Sequence, residues 1–238
     1  MSETAVQALA ALRTFDTPSI TNVVATYPQH PLCLGLYHPW HSHWYTDQTL
    51  RCMYPELGPV AGHAVTCVYG LPDPGYERLT FMDVIDALDA SPKPSVLVLA
   101  QRFPPALAAK VGLAGGNMTA AVKAVGCVGV VSDGPSRDID EIRPMGIQYL
   151  LTGVCAGHGP MAVQAVNVPV HVAGMDVAPG DIVHMDENGA CRFPAGRLLD
   201  VLANVRALAE EEEARMAALQ KARGAGEVRA IFGAPRPG

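Results

Sequence analysis

The stretch VVSDGPSRDIDEI, residues 130–142, sets Arg137 beside Asp138 just after an apolar run and a tight turn. Two readings fit the pair. One is a surface ion pair, worth little in water. The other is chemical: a guanidinium grips a carboxylate with two parallel hydrogen bonds, and an aspartate offers hard oxygen to a divalent cation such as Mg2+ or Mn2+. A 2-keto acid presents both partners at once, a carboxylate for Arg137 and a keto oxygen for a cation held by Asp138. Upstream lies GLAGG (112–116), followed by a helical pattern. Glycines there expose the free N–H groups and the positive end of the helix dipole to an anion. Gly115, Gly116, Asn117 and Met118 are therefore candidate substrate-binding positions.

HPWHSH (38–43) supplies His38, His41 and His43, with His30 upstream. On a strand His41 and His43 share a face, and imidazole is a common zinc ligand. The alternatives are substrate contact, or a loop that buries Trp40 and Trp44 and leaves the histidines hydrogen-bonded or exposed. Asp133 begins a DG turn, which its side chain is expected to cap; support of a bound ligand from behind is the other role open to it. Asp140 and Glu141 are expected at the surface, with the waters of a cation within their reach. His184 sits in an apolar run and reads as a core histidine with satisfied nitrogens. His158, in AGHGP, fits either a structural or a functional loop. Cys155 has no evident activating partner, so no nucleophilic role is assigned to it.

Positioning these residues requires an alternation of helices and strands. Residues 3–13 suit a helix with Val6, Leu9 and Leu12 on its stripe, and 16–27 suit another, Thr17 as N-cap and Pro18 at the first helical position. Residues 28–58, rich in Pro, His and aromatics, read as irregular with short strands. Strands follow at 60–70, 95–100, 128–132, 147–151, 168–173, 181–185 and 190–193, the run 95–100 apolar enough to be covered on both faces. Helices are expected at 79–90 and at 117–125, where Met118, Ala121, Val122 and Val125 form a stripe and Gly126 a C-cap. A long helix spans about 196–222, with Leu198, Leu199, Leu202, Val205 and Leu208 inward and Glu210–Glu213 in solvent. The tail 224–238 carries too much Gly and Pro for regular structure, although Val228, Ile231 and Phe232 would suit docking onto another subunit. The economical division is an α/β domain over 1–198, with 28–58 as its His-rich irregular segment, followed by a helix and tail over 199–238.

Composition narrows the class. Of 238 residues 49% are hydrophobic and 17% charged, which marks a globular chain with a sizeable core. A net charge of −6 leaves no basic stripe for phosphates, so no nucleic acid is expected as partner. No apolar run is long enough for a membrane span, and residues 1–15 lack the pattern of a secretory signal. Six scattered cysteines without a CxxC pair fit a reducing, cytoplasmic setting. No glycine-rich cofactor loop follows a first strand near the N-terminus, which argues against methyl transfer.

GGNMTAAVKAVGCVGVVSDGPSRDIDEI (115–142), and within it G-x-x-G-x-V-x-D-G-x-x-R-D (126–138), resembles the RraA-like family, as does VAPGDIVHMDENGACRFP (177–194). The likeness covers roughly residues 59–198. This family includes the 4-hydroxy-4-methyl-2-oxoglutarate / 4-carboxy-4-hydroxy-2-oxoadipate aldolases. The resemblance implies a swivelling β/β/α-type single domain assembled into homotrimers or hexamers with sites between subunits. It also implies a carbon–carbon lyase of the class II pyruvate aldolase type, using Mg2+ or Mn2+ to stabilise a pyruvate enolate. Many members decarboxylate oxaloacetate through the same enolate. Carried over by position, Arg137 binds the substrate's carboxylate and keto oxygen, Asp138 holds the metal, and the amides near Asn117 and Met118 complete the carboxylate site. Other members bind and inhibit an RNA-degrading enzyme without catalysis. One departure stands out: the aldolase members carry an acid 21 positions before the arginine, where this chain has Gly116.

Overall fold

The structure is a computed structural model that describes residues 3–24, 30–38, 41–75 and 78–233. In chain order the elements are α1 (Glu3–Leu12), α2 (Thr17–Val24), β1 (Arg51–Cys52), β2 (Val60–Gly70), α3 (Phe81–Ala90), β3 (Ser95–Arg102), α4 (Pro105–Ala108), α5 (Gly116–Ala124) and β4 (Cys127–Ser132). They continue with α6 (Ile139–Ile142), β5 (Gln148–Leu151), β6 (Ala162–Val166), β7 (Val170–Val172), β8 (Met175–Val177), β9 (Ile182–Asp186), β10 (Gly189–Phe193), α7 (Leu198–Lys221) and α8 (Ala225–Gly233).

The main sheet runs β1-β5-β4-β3-β2-β9-β10, with β6 also on β2, while β7 and β8 form a separate pair. Strands β2 to β5 are mutually parallel, and the strands added at the margins are antiparallel. Alternation along β3 explains how it is buried on both sides: Leu97 and Leu99 point to the helices, whereas Val96, Val98 and Ala100 point to the inner face. The sheet curls until it is nearly closed. A Cβ on Gly129 of β4 would stand 2.8 Å from Met185 Sδ of β9, so a side chain there would push Met185 aside. A third apolar layer joins Leu9, Leu12, Ile20 and Val23 to Val201, Val205 and Leu208 beside β9 and β10.

Several local expectations change. The cap of α2 is Asp16, whose Oδ1 accepts from Ser19 N at 2.9 Å. Thr17 is instead inside the helix and its hydroxyl bonds His184 Nδ1 at 2.9 Å. His184 Nε2 donates to Leu12 O at 3.1 Å, so this buried ring ties both N-terminal helices to β9 and is a satisfied core histidine. Val6 and Leu199 are exposed, and Ala8 and Val201 are buried in their helices: steps of three drift off a stripe whose period is 3.6. The tail is helical as far as Gly233. Gly224, at φ 101°, breaks the chain after α7, and Glu227 accepts from Arg223 N at 2.6 Å to start α8. Residues 25–27 of the second expected helix, Trp40 of the aromatic loop, and 234–238 of the tail lie outside the described residues. Among the described residues no helix is long and apolar enough to cross a membrane.

Candidate active site

Parallel strands β3 and β4 end where the chain turns toward α4 and α6, the place where open α/β sheets bind ligands. Two segments are laced together there. Leu113 N donates to Pro135 O at 2.9 Å, Arg137 N to Ala114 O at 3.2 Å, and Ser136 Oγ to Ala114 O at 2.6 Å. Below them Thr119 anchors the start of α5: its hydroxyl donates to Gly115 O at 2.8 Å and meets Tyr149 Oη at 2.7 Å.

Asp138 adopts a left-handed backbone, φ 60° and ψ 33°, uncommon for a residue with a side chain. That turn folds its carboxylate back over the glycine loop. Asp138 Oδ2 accepts from Gly116 N at 3.1 Å and lies 3.4 Å from Arg137 Nε. The two glycines make this possible. A Cβ on Gly115 would stand 2.7 Å from Asp138 Oδ2, and one on Gly116 would stand 2.2 Å from Glu141 Oε1. The departure at position 116 thus has a physical counterpart: the space a side chain there would fill holds the Glu141 carboxylate. Only the Gly116 amide and the Cβ position lie between the carboxylates, so they are less than about 8 Å apart.

These residues wall one cavity of about 340 Å3, lined by Gly115, Gly116, Asn117, Met118, Arg137, Asp138, Glu141, His158 and Met161. Six of the positions singled out in the sequence therefore meet: Arg137, Asp138, Gly115, Gly116, Asn117 and Met118. The Gly116 amide is already committed to Asp138, which leaves the amides beyond it for an anion. Glu141 was expected at the surface; it is exposed, yet its carboxylate overlies Gly116. Its spacing of three from Asp138, on a helical turn, was the available signal. His158 also lines the cavity. Its Nδ1 is 2.9 Å from Gly159 O, an acceptor only, so Nδ1 donates there, and in the neutral tautomer Nε2 is the nitrogen with the lone pair.

The remaining candidates lie elsewhere. His41 and His43, with ring centroids 5.9 Å apart, do not line this cavity. His43 instead faces His171, and both rings turn Nδ1 toward Asp176, at 3.7 and 2.7 Å respectively. Trp44 of the same segment is buried and stacks on Tyr37 at 5.4 Å. Asp133 is also off the cavity, and it does not cap its own turn. Ser132 Oγ does so, accepting from Gly134 N at 3.0 Å, while Asp133 Oδ1 reaches across to accept from Gln101 N at 2.8 Å. Burial pushes the Asp133 carboxyl up to about 6.

Among the described residues no group of three or more His, Cys, Asp or Glu is gathered to enclose a metal ion. Asp138 and Glu141 are nonetheless two carboxylates on one wall beside a guanidinium. Such a donor set suits a hard cation that keeps most of its water, as Mg2+ does, and does not suit a closed zinc cage.

Fold and cavity together define a mixed α/β domain with a nearly closed sheet, a long C-terminal helix, and a small polar site past the ends of its parallel strands. The chain belongs to the RraA-like family: the family model described as Aldolase/RraA matches residues 38–192. An uncharacterized protein of Methanocaldococcus jannaschii is 31% identical over 99 residues, 41% of this chain and 48% of that protein. A Halalkalibacterium halodurans protein named "Putative 4-hydroxy-4-methyl-2-oxoglutarate aldolase" is 28% identical over 108 residues, 45% of this chain and 51% of that one. The chain thus spans about half the length of these curated relatives. Among solved structures, Streptomyces coelicolor RraAS2, titled an unusual member of the RNase ES inhibitor RraA protein family, superimposes with a TM-score of 0.65 at 19% identity. That match covers 89% of this chain and 95% of the other, and it shows a shared fold.

Proposed function

We propose that the protein is a divalent-cation-dependent carbon–carbon lyase acting on a 2-keto acid, by retro-aldol cleavage or by decarboxylation. The observation that carries this reading is the convergence of Arg137, Asp138, Glu141 and the start of α5 on one cavity. Arg137 grips the substrate carboxylate with its terminal nitrogens, and the amides beyond Gly116 at the positive end of α5 take the same group from the other side. Asp138 and Glu141 would hold Mg2+ or Mn2+, directly or through water. When bound, the cation supplies Lewis-acid polarisation of the keto oxygen and neutralises charge that develops there. The hydrogen bond from Gly116 N and the ion pair with Arg137 Nε aim the Asp138 carboxylate before substrate arrives, so little reorganisation is needed during the reaction. In retro-aldol cleavage His158 Nε2, with the ring neutral, would accept the proton of the substrate hydroxyl as the carbon–carbon bond breaks.

The test is pyruvate release from oxaloacetate by metal-stripped protein, with and without added Mg2+ or Mn2+, alongside Asp138→Ala. Metal-dependent turnover that disappears in the variant is the expected result. Turnover no higher than a metal-only blank would sink the lyase reading. Weight would then move to a non-catalytic role, which the likeness to RraAS2 supports.

A further inference from the structure

Two buried tyrosines line no part of the candidate site, yet their hydroxyls end on the two segments that build it. Tyr54, two residues past β1, and Tyr149, in β5, are almost wholly buried and meet edge to face at a centroid distance of 6.2 Å. Tyr54 Oη donates to Ile139 O at 2.7 Å, at the first residue of α6, between Asp138 and Glu141. Tyr149 Oη lies 2.7 Å from Thr119 Oγ1, whose single proton is already given to Gly115 O at 2.8 Å. Tyr149 is therefore the donor of that pair.

Both end points bear on the same contact. Gly115 O and Gly116 N belong to one planar peptide, so fixing the oxygen aims the N–H that holds Asp138 Oδ2 at 3.1 Å. Tyr54 fixes the other partner. Ile139 directly follows the left-handed turn at Asp138, φ 60°, a strained conformation that persists where its neighbours hold it. The Tyr54 ring is itself braced by the Arg143 guanidinium, 5.1 Å from its centroid, and Arg143 pairs with Glu56. Phenylalanine would fill the same core volume without the cost of burying a hydroxyl. The two hydroxyls thus serve register, not burial. Burial pushes Tyr54 up to about 12 and raises Tyr149 as well, so both keep the protons they donate.

We propose that Tyr54 and Tyr149 are positioning residues: through Ile139 and Thr119 the ring pair sets the separation between the Gly116 amide and the Asp138 and Glu141 carboxylates. The consequence for cation binding rests on the lyase reading above, whereas the separation itself does not. Neither tyrosine touches substrate or metal. Each acts through a backbone carbonyl, and the edge-to-face contact makes the two act as one strut.

The experiment compares the full chain with Tyr54→Phe, Tyr149→Phe and the double variant. Thr66→Val is the control, because it removes a buried hydroxyl bond, to Val168 O at 2.6 Å, that reaches neither segment of the site. Two readouts are taken: amide exchange across residues 115–118 in the metal-free chain, and Mn2+ binding by paramagnetic resonance without substrate. Each Phe variant should exchange about fivefold faster there, as the loss of one net hydrogen bond allows, and should bind Mn2+ correspondingly more weakly. The double variant should add no more than about twofold to the worse single one, because either loss frees the same separation. Thr119→Val should reproduce Tyr149→Phe, and Thr119→Ser, which keeps the hydroxyl, should retain normal exchange. Unchanged exchange in both Phe variants, or an equal change in Thr66→Val, overturns the proposal. Losses that multiply in the double variant overturn the single strut. Faster exchange in variants of a chain that binds no Mn2+ upholds the positioning and sinks the lyase reading instead.

Discussion

At the scale of single residues, the site depends on where two carboxylates are placed. If Glu141 faces the cation, Glu141→Gln should weaken Mn2+ binding about tenfold, read by Mn2+ paramagnetic resonance with no substrate present. Gly116→Asp alone should weaken it too, because the new side chain overlaps Glu141. Gly116→Asp with Glu141→Ala should restore much of it by returning an acid to the position where the resembling aldolases have one. No recovery in the double variant would mean that Glu141 does not take that acid's place. Arg137→Lys, which keeps charge but loses the fork, should cut kcat/KM by about 100-fold, or about 3 kcal/mol. Arg137, Asp138 and the glycine loop were legible in the sequence because they are close along it and chemically distinctive. The Gly116–Glu141 relation was not: it depends on the left-handed turn at Asp138, a conformation that Asp tolerates better than most residues but adopts too seldom to be read from the sequence. In the sequence Gly116 reads as a loss; in the structure the space beside it holds the Glu141 carboxylate.

At the scale of elements, the sequence located the parallel strands well, since runs such as SVLVLA are apolar on both faces and bounded by turn residues. It missed β6 and β8, whose partners lie far off in sequence or which are three residues long. It also misjudged α8 by counting glycines: Gly224 and Gly233 bound that helix. The capping box of α3 can be weighed directly. Thr80→Ala removes both its hydroxyl bonds and should cost about 1 kcal/mol in urea unfolding. Because Thr80 also lines a second cavity of about 330 Å3, which shares Met118 and Met161 with the first, the variant should widen that cavity without disturbing Mn2+ binding at Asp138. Loss of Mn2+ affinity would show that α3 holds the first cavity in shape as well.

At the scale of the whole molecule, two buried groups give stability opposite slopes with pH. Burial holds His184 below its ordinary value, so the folded chain keeps the ring neutral. Below about 6.5 the unfolded chain takes up a proton that the folded one refuses, and stability falls as pH drops. Asp133 runs the other way: raised by burial to about 6, it takes a proton more readily folded than unfolded. Its contribution is therefore lost as pH rises from about 4 to 6 and stays absent above. Asp133→Asn keeps an oxygen for Gln101 N, so it should raise Tm at pH 7.5 and change it little at pH 4.5. His184→Gln should flatten the decline between pH 6.5 and 5. Light scattering should return three or six times the 25.1 kDa chain mass if the trimers or hexamers that the family resemblance implies form.

Arg137, Asp138 and Glu141 fall within five consecutive residues, whereas the walls that would choose a substrate come from α3, α5 and the approach to β6. On the proposed reading, reactivity is written as one short phrase of the chain, and selectivity as scattered letters. Mutation can revise the second without touching the first.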